Sequence, residues 1–307
     1  MPLVITTCTN RKRKPVSDDL HASSLPKAML SDLAVRWGER LASAEPRFIA
    51  SDIYGGRAFQ EAAAAAKRMD SRLLIVSAGL GLIDASEHVP PYSCTVLIDA
   101  PDSIASRAID TFTPAAWWRE LLPVSPYSTP LHESLSGTSG VICAALSEAY
   151  IEMLAADLID LPATNLERLR IFTRAPASRI EPALRRFVMP YDDRLDGPDS
   201  TIAGTRSDFA GRAVRHFAEH LMNIGQDRTA EADATAVAAA LDGWRMPARF
   251  ERVRHDDETM RDLIAANWQA ANGSSARLLR LFRDELNIAC EQGRFAELVR
   301  EVRASRA

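Results

Sequence analysis

Four short apolar runs do most to limit what this chain can fold into. Residues 3–7, 73–77, 141–146 and 169–173 are rich in Val, Ile and Leu and too short for buried helices. Between them lie stretches with helical spacing. Residues 24–43 carry Leu30, Leu33, Val35, Trp37 and Leu41, and a strand at 47–50 precedes Ser51 and Asp52, which are placed to cap a helix running through Phe59 to Met69. Residues 104–122 read as helical, 123–139 as a loop, and a helix follows through Tyr150, Met153 and Leu158. Strands alternating with helices predict an α/β fold, a largely parallel sheet flanked by helices. From about residue 191 the chain reads as mostly helical, so the expected division is 1–190 and 191–307.

Composition adds limits. The 307 residues are 47% hydrophobic and 25% charged, the mix of an ordinary globular protein. No apolar run approaches the roughly 20 residues of a membrane span, and the N-terminus lacks the layout of a signal peptide. Cys8, Cys94, Cys143 and Cys290 are scattered, without a C-x-x-C pair, as in a reducing compartment. A cytoplasmic protein with no membrane partner is expected. The net charge of -4 argues against coating nucleic acid indiscriminately, although local basic groups still allow DNA contact.

In open α/β sheets ligands bind beyond the carboxyl ends of the strands. Three segments there carry unusual chemistry: Thr7-Cys8-Thr9-Asn10-Arg11-Lys12, Ser51-Asp52-Ile53-Tyr54-Gly55-Gly56-Arg57, and Ser77-Ala78-Gly79-Leu80-Gly81 with Pro91-Tyr92-Ser93 close behind. Each also has a plainer reading. Asp52 serves as a helix N-cap, Gly79 and Gly81 make a tight strand-to-helix turn, Tyr54 and Tyr92 are core residues, and the basic run 11–14 is a solvated loop.

The order and spacing of T-C-T-N-R-K, D-I-Y-G-G-R-A-F, L-L-I-V-S-A-G-L-G-L-I and P-P-Y-S-C-T resemble a family of small prokaryotic and phage domains. That family carries C-[ST]-x-x-K, acidic-x-Tyr, S-A-x-x-G-L and P-Y-x-x-T, and is similar to the YaaA proteins of peroxide stress and to uracil-DNA-glycosylase-like domains. The resemblance covers roughly residues 1–96. The sequence departs from the family at Asn10, where lysine is usual. Such a domain joined to DNA-gripping helices also resembles phage-defence DNA glycosylases that remove glucosylated hydroxymethylcytosine.

The resemblance implies a monofunctional DNA glycosylase that excises a modified base, leaves an abasic site and needs no cofactor or metal. Asp52 would then stabilise the oxocarbenium-like sugar and Asn10 would fix the water or the base edge. Cys8, Tyr54, Ser77, Gly79 and Tyr92 would receive the base, while Arg11, Lys12 and Arg57 would hold the DNA. The alternative is a non-enzymatic DNA-binding stress protein of the YaaA type.

Further along, residues 190–207 form a polar segment with Asp192, Asp193 and Asp196, either a lid or a solvated loop with capping aspartates. An amphipathic helix, a turn at Asn272-Gly273, and a helix opened by Ser274 and bearing Arg277, Arg280 and Arg283 have the helix-turn-helix layout. An ordinary bundle whose arginines pair with nearby acids fits the same pattern. His216-Phe217-Ala218-Glu219-His220 matches H-x-x-E-H, a zinc-peptidase pattern that short sequences reach by chance. No P-loop and no full G-x-G-x-x-G is present.

Overall fold

The computed structural model describes residues 1–222, 228–248 and 252–306. Two compact units divide the chain, Met1–Pro247 and Ala248–Ala307. Residues 249–251, next to this division, lie outside the described ones.

The first unit is built on a five-stranded sheet. Its strands are β1 (Leu3–Thr7), β3 (Arg72–Ser77), β4 (Gly81–Asp84), β6 (Ile142–Ala145) and β7 (Leu169–Phe172), in the spatial order β4-β3-β1-β6-β7. The pairs β1/β3, β1/β6 and β6/β7 are parallel, with Ile5 opposite Leu74 on one side and Ala144 on the other. β1 is buried along its whole length, as a central parallel strand covered on both faces must be. The edge strand β4 runs antiparallel to β3 and makes the sheet mixed. Ala78, Gly79 and Leu80 therefore turn a hairpin, where the sequence suggested a turn into a helix. Two short strands, β2 (Phe48–Ile49) and β5 (His88–Val89), pair separately.

Each face of the sheet has its own core. One gathers Trp37 and Leu41 from the helix Leu30–Ser43, Trp117 and Leu121 from Pro114–Leu121, and Ile151, Leu154 and Leu158 from Glu148–Ile159. The other packs Ala62, Ala65 and Ala66 of Arg57–Arg68 with Phe209, Ala213, Val214 and Phe217. Small side chains let these helices meet closely. A Cβ at Gly211 would come within 2.2 Å of the Ala58 carbonyl oxygen.

This second core explains why the chain does not divide near residue 190. Tyr191, Leu195 and Ile202 pack in it beside Val4 and Cys143 of the sheet. Fully buried Arg212 holds the polar segment by donating to the carbonyls of Leu195 (3.1 Å), Ile202 (3.1 Å) and Thr205 (2.9 Å), and pairs with Asp208 (2.6 Å) and Asp196. Arg174 binds Asp193 and Asp196, and Arg194 binds Asp192. Buried Arg170 of β7 pairs with Asp233 at 2.7 Å and anchors the helix Ala230–Ala240. The segment is a packed strap tied by charge.

Helix limits differ from the expected ones for local reasons. Tyr54–Gly56 interrupts the run between a single turn, Ala50–Ile53, and the helix Arg57–Arg68, whose N-cap is Gly56. Asp52 therefore lies inside a short turn and caps nothing. Thr113 caps the helix Pro114–Leu121 through the Ala116 amide, so the stretch before it stays irregular.

The second unit comprises the helices Asp257–Ala266, Ser275–Arg280 and Gln292–Ser305 around Met260, Ile264, Leu278, Phe282, Phe295 and Leu298. Asn272 and Gly273 turn with positive φ, 50° and 63°, and Ser274 caps the next helix through the Arg277 amide. That helix runs on into a wider turn, Leu281–Glu285. Among the described residues no helix is long and apolar enough to cross a membrane.

Candidate functional site

The carboxyl end of β1 enters a loop that folds back on the segment after Ile53. The amide of Arg13 donates to the Ile53 carbonyl (2.8 Å) and that of Gly55 to the Arg11 carbonyl (2.8 Å), so Lys12 and Tyr54 face each other as a bridge. The Gly56 amide donates to Thr9 Oγ1 at 3.1 Å. This backbone clamp fixes where the Lys12 side chain starts.

From there the ammonium turns inward. Lys12 Nζ donates to the Thr9 carbonyl at 2.6 Å and lies 4.8 Å from the Tyr54 ring centroid and 4.5 Å from that of Tyr92. A cation over two aromatic faces is attracted by their negative quadrupoles. Burial pushes its pKa below the ordinary lysine value, opposed by the electrostatic influence of Cys8 and Cys94.

Beneath the lysine lies a run of hydroxyls. Tyr54 Oη and Tyr92 Oη are 3.1 Å apart, and Tyr92 Oη is 2.6 Å from Ser77 Oγ. Ser77 Oγ accepts the amides of Leu80 (2.8 Å) and Gly79 (3.3 Å). On the other side Cys8 Sγ and Tyr150 Oη are 3.0 Å apart. Cys8, Tyr54, Ser77, Tyr92, Cys94 and Tyr150 are all buried, and Lys12 is half-buried. Burial raises the pKa of all three tyrosines and of Cys94.

The hairpin between β3 and β4 is the floor of this cluster. Its carbonyls are taken by Trp117 Nε1 on Ala78 (2.8 Å), Trp37 Nε1 on Gly79 (2.7 Å) and Ser125 Oγ on Leu80 (2.7 Å). Only glycine fits at 79, since a Cβ there would approach the Tyr92 ring to 2.4 Å. The glycine makes room for the tyrosine.

Cys8, Lys12, Tyr54, Ser77, Gly79 and Tyr92 thus come together. Asn10, Arg11 and Asp52 are exposed, and the Asp52 side chain makes no hydrogen bond to a described residue. Arg57 is exposed too, paired with Glu61 (2.9 Å) and donating to the Ala203 carbonyl (3.0 Å), so it braces the strap. The roles of the tyrosines change as well. Their faces are occupied by Lys12, and their rings are closed to solvent, so they are not free stacking platforms. Lys12, expected on an exposed loop to hold DNA, instead turns its ammonium into the cluster. Tyr150 and Cys94 belong to the cluster without having been singled out. Cys94 shares the turn of Tyr92, and Tyr150 follows β6, the strand beside β1.

In the second unit Arg277 and Arg280 are exposed, whereas Arg283 donates to the Cys290 carbonyl at 2.6 Å. In the first, His216 is buried with Nδ1 2.8 Å from Tyr191 Oη, and Glu219 pairs with Arg215 at 2.7 Å. The H-x-x-E-H pattern is here a core histidine beside an ion pair. Among the described residues no group of three His, Cys, Asp or Glu side chains is placed to hold a metal ion.

Fold and site together define a mixed α/β sheet domain with a strand-end lysine enclosed by tyrosines and cysteines. No family model, curated protein or solved structure matches the chain.

Proposed function

We propose that the protein hydrolyses the N-glycosidic bond of a modified base in DNA, glucosylated hydroxymethylcytosine being the first candidate, as an antiphage base-excision enzyme of the cytoplasm. The observation that carries this reading is the Lys12 ammonium, clamped at the carboxyl ends of β1 and β3 with no carboxylate partner among the described residues. When the bond from C1′ to the base breaks, its electron pair stays on the base. Water then adds to C1′, and the proton it gives up ends on the released base. A fixed cation in a water-poor cluster offsets the charge that develops on the base. This moves the centre of the chemistry from Asp52 to Lys12, while the exposed Arg277 and Arg280 remain the groups for phosphate contact.

The test is incubation with unmodified DNA and with DNA carrying hydroxymethylated or glucosylated cytosine, followed by alkali treatment. The reading expects breaks and free base from modified DNA alone, both lost in Lys12→Met. Intact DNA with a retained gel shift would establish the rival, a non-enzymatic DNA-binding protein of the YaaA type. The burial of six of the seven cluster side chains favours that rival.

A further inference from the structure

A cavity of about 100 Å³ shares no residue with the strand-end cluster and is lined by Leu122, Ser128, Pro130, Leu131, His132 and Asp157. One wall follows the edge strand β4. The Leu82 amide donates to Ser128 Oγ at 3.1 Å, and the Thr129 amide to the Leu82 carbonyl at 2.9 Å. Asp157 stands in the last turn of the helix Glu148–Ile159, and little there favours a carboxylate. It is half-buried, and burial together with nearby Asp160 pushes its pKa above the ordinary carboxylate value. It sits at the negative end of the helix dipole, in a turn without a basic residue. It has no ion pair among the described residues. One oxygen, Oδ2, accepts Trp118 Nε1 at 2.7 Å, a bond that a neutral amide would make as well. The other has no hydrogen-bond partner among the described residues and is not sealed from solvent.

We infer that this cavity binds a primary alkylammonium ion, its charge on Asp157 and its carbon chain against Leu122, Pro130 and Leu131. The site is independent of the proposed base chemistry. A half-buried carboxylate without a cation is stabilised by gaining one, and aliphatic walls bury the stem that carries it. An ammonium has three N–H donors and no acceptor. It finds acceptors here in Asp157 and in the second lone pair of Ser128 Oγ, whose first is taken by the Leu82 amide. A metal ion would need more oxygen ligands than one carboxylate supplies, and no group of three His, Cys, Asp or Glu side chains is placed to hold one among the described residues. His132 is 73% exposed and lies 3.8 Å from Glu133, so a charge on it is screened at the rim.

The test uses the full chain, with ¹⁵N-labelled tryptophan, and follows the Trp118 indole N–H signal, assigned by its loss in Trp118→Phe. Butylammonium, butanol and Nα-acetyl-lysine amide are titrated at constant ionic strength. Butylammonium is expected to give a saturable shift. Butanol, which has the same stem without the charge, should bind about tenfold more weakly or worse. Asp157→Asn keeps an acceptor for Trp118 and removes the charge, and should weaken butylammonium to a similar degree. Leu131→Phe leaves the carboxylate in place, fills the cavity and should abolish the shift. Nα-acetyl-lysine amide binding as tightly as butylammonium would support the inference with a protein side chain as the source, and weaker binding would support it with a free amine. No saturable shift with butylammonium would overturn it. So would butanol binding as tightly as the amine, or unchanged affinity in Asp157→Asn.

Discussion

Lys12 holds its ammonium 4.5 Å from the centroid of the Tyr92 ring, and Gly79 leaves the space in which that ring sits. The contact depends on three separate stretches of chain, and its cation stands without a carboxylate partner among the described residues. Lys12→Met keeps the length of the side chain and removes the charge. Base release is expected to fall at least about a hundredfold, the scale of losing one fixed transition-state charge contact. Stability should hold or rise, because the folded state no longer carries a desolvated ammonium. Single-turnover base release and urea denaturation check the two halves.

Asp52 provides the contrasting variant. It is exposed, caps no helix and makes no hydrogen bond to a described residue. Asp52→Asn is expected to change base release by less than about threefold, within the effect of a screened surface charge. A loss as large as that of Lys12→Met would return the catalytic role to the carboxylate. The same single-turnover assay decides.

The parts of the fold legible in the sequence were those written locally. The β-branched runs became β1, β3, β6 and β7, and the Asn272-Gly273 turn with its Ser274 cap stands where the turn residues put it. What was missed depends on distant partners. The aspartates of 192–196 look solvated until Arg174 and Arg212 are seen to hold them, and this hid the continuation of the first unit past residue 190. The short edge strand β4 follows its turn at once and carries no alternation of its own. At the site, the strand-end rule brought Cys8, Tyr54, Ser77 and Tyr92 together. Lys12 sat in a basic run that reads as surface, and Tyr150 became a neighbour only through the order β1-β6.

The arginines of the second unit separate contact from bracing. Arg277 and Arg280 are exposed, while Arg283 is tied to the Cys290 carbonyl. Replacing Arg277 and Arg280 together by Glu should weaken DNA binding about equally for all sequences and reduce the salt slope by about two. Arg283→Ala should instead lower stability with little change in that slope. Fluorescence anisotropy at several salt concentrations measures the slope, and thermal denaturation the stability.

Arg212 is the residue on which the strap most depends. It is fully buried and satisfies three backbone carbonyls and two carboxylates. Arg212→Met fills much of the same volume but takes the close cation from buried Asp208 and leaves Asp196 with Arg174 alone. A cost of about 3–5 kcal/mol is expected, the usual penalty for breaking a buried pair from one side. Urea unfolding reads it, and a cost below about 1 kcal/mol would mean that the strap does not depend on Arg212.

His216 gives the first unit a pH dependence of defined sign. Burial, together with neighbouring His220, lowers its pKa from the ordinary 6.5 to about 4. Above pH 6.5 the imidazole is neutral in both folded and unfolded chains and does not affect the balance. As the pH falls through the window between 6.5 and about 4, the unfolded chain takes up a proton that the folded chain refuses, and stability drops. Over the full window the loss is about 3 kcal/mol. His216→Gln removes the titrating group and should flatten this part of the profile, at the cost of disturbed packing against Tyr191 and Trp244. The informative quantity is the difference between wild-type and variant unfolding free energies from pH 7 to pH 4, which cancels the carboxylates that titrate in both. A difference that stays constant across that range would mean that the folded protein accepts a proton at His216 as readily as the unfolded chain does.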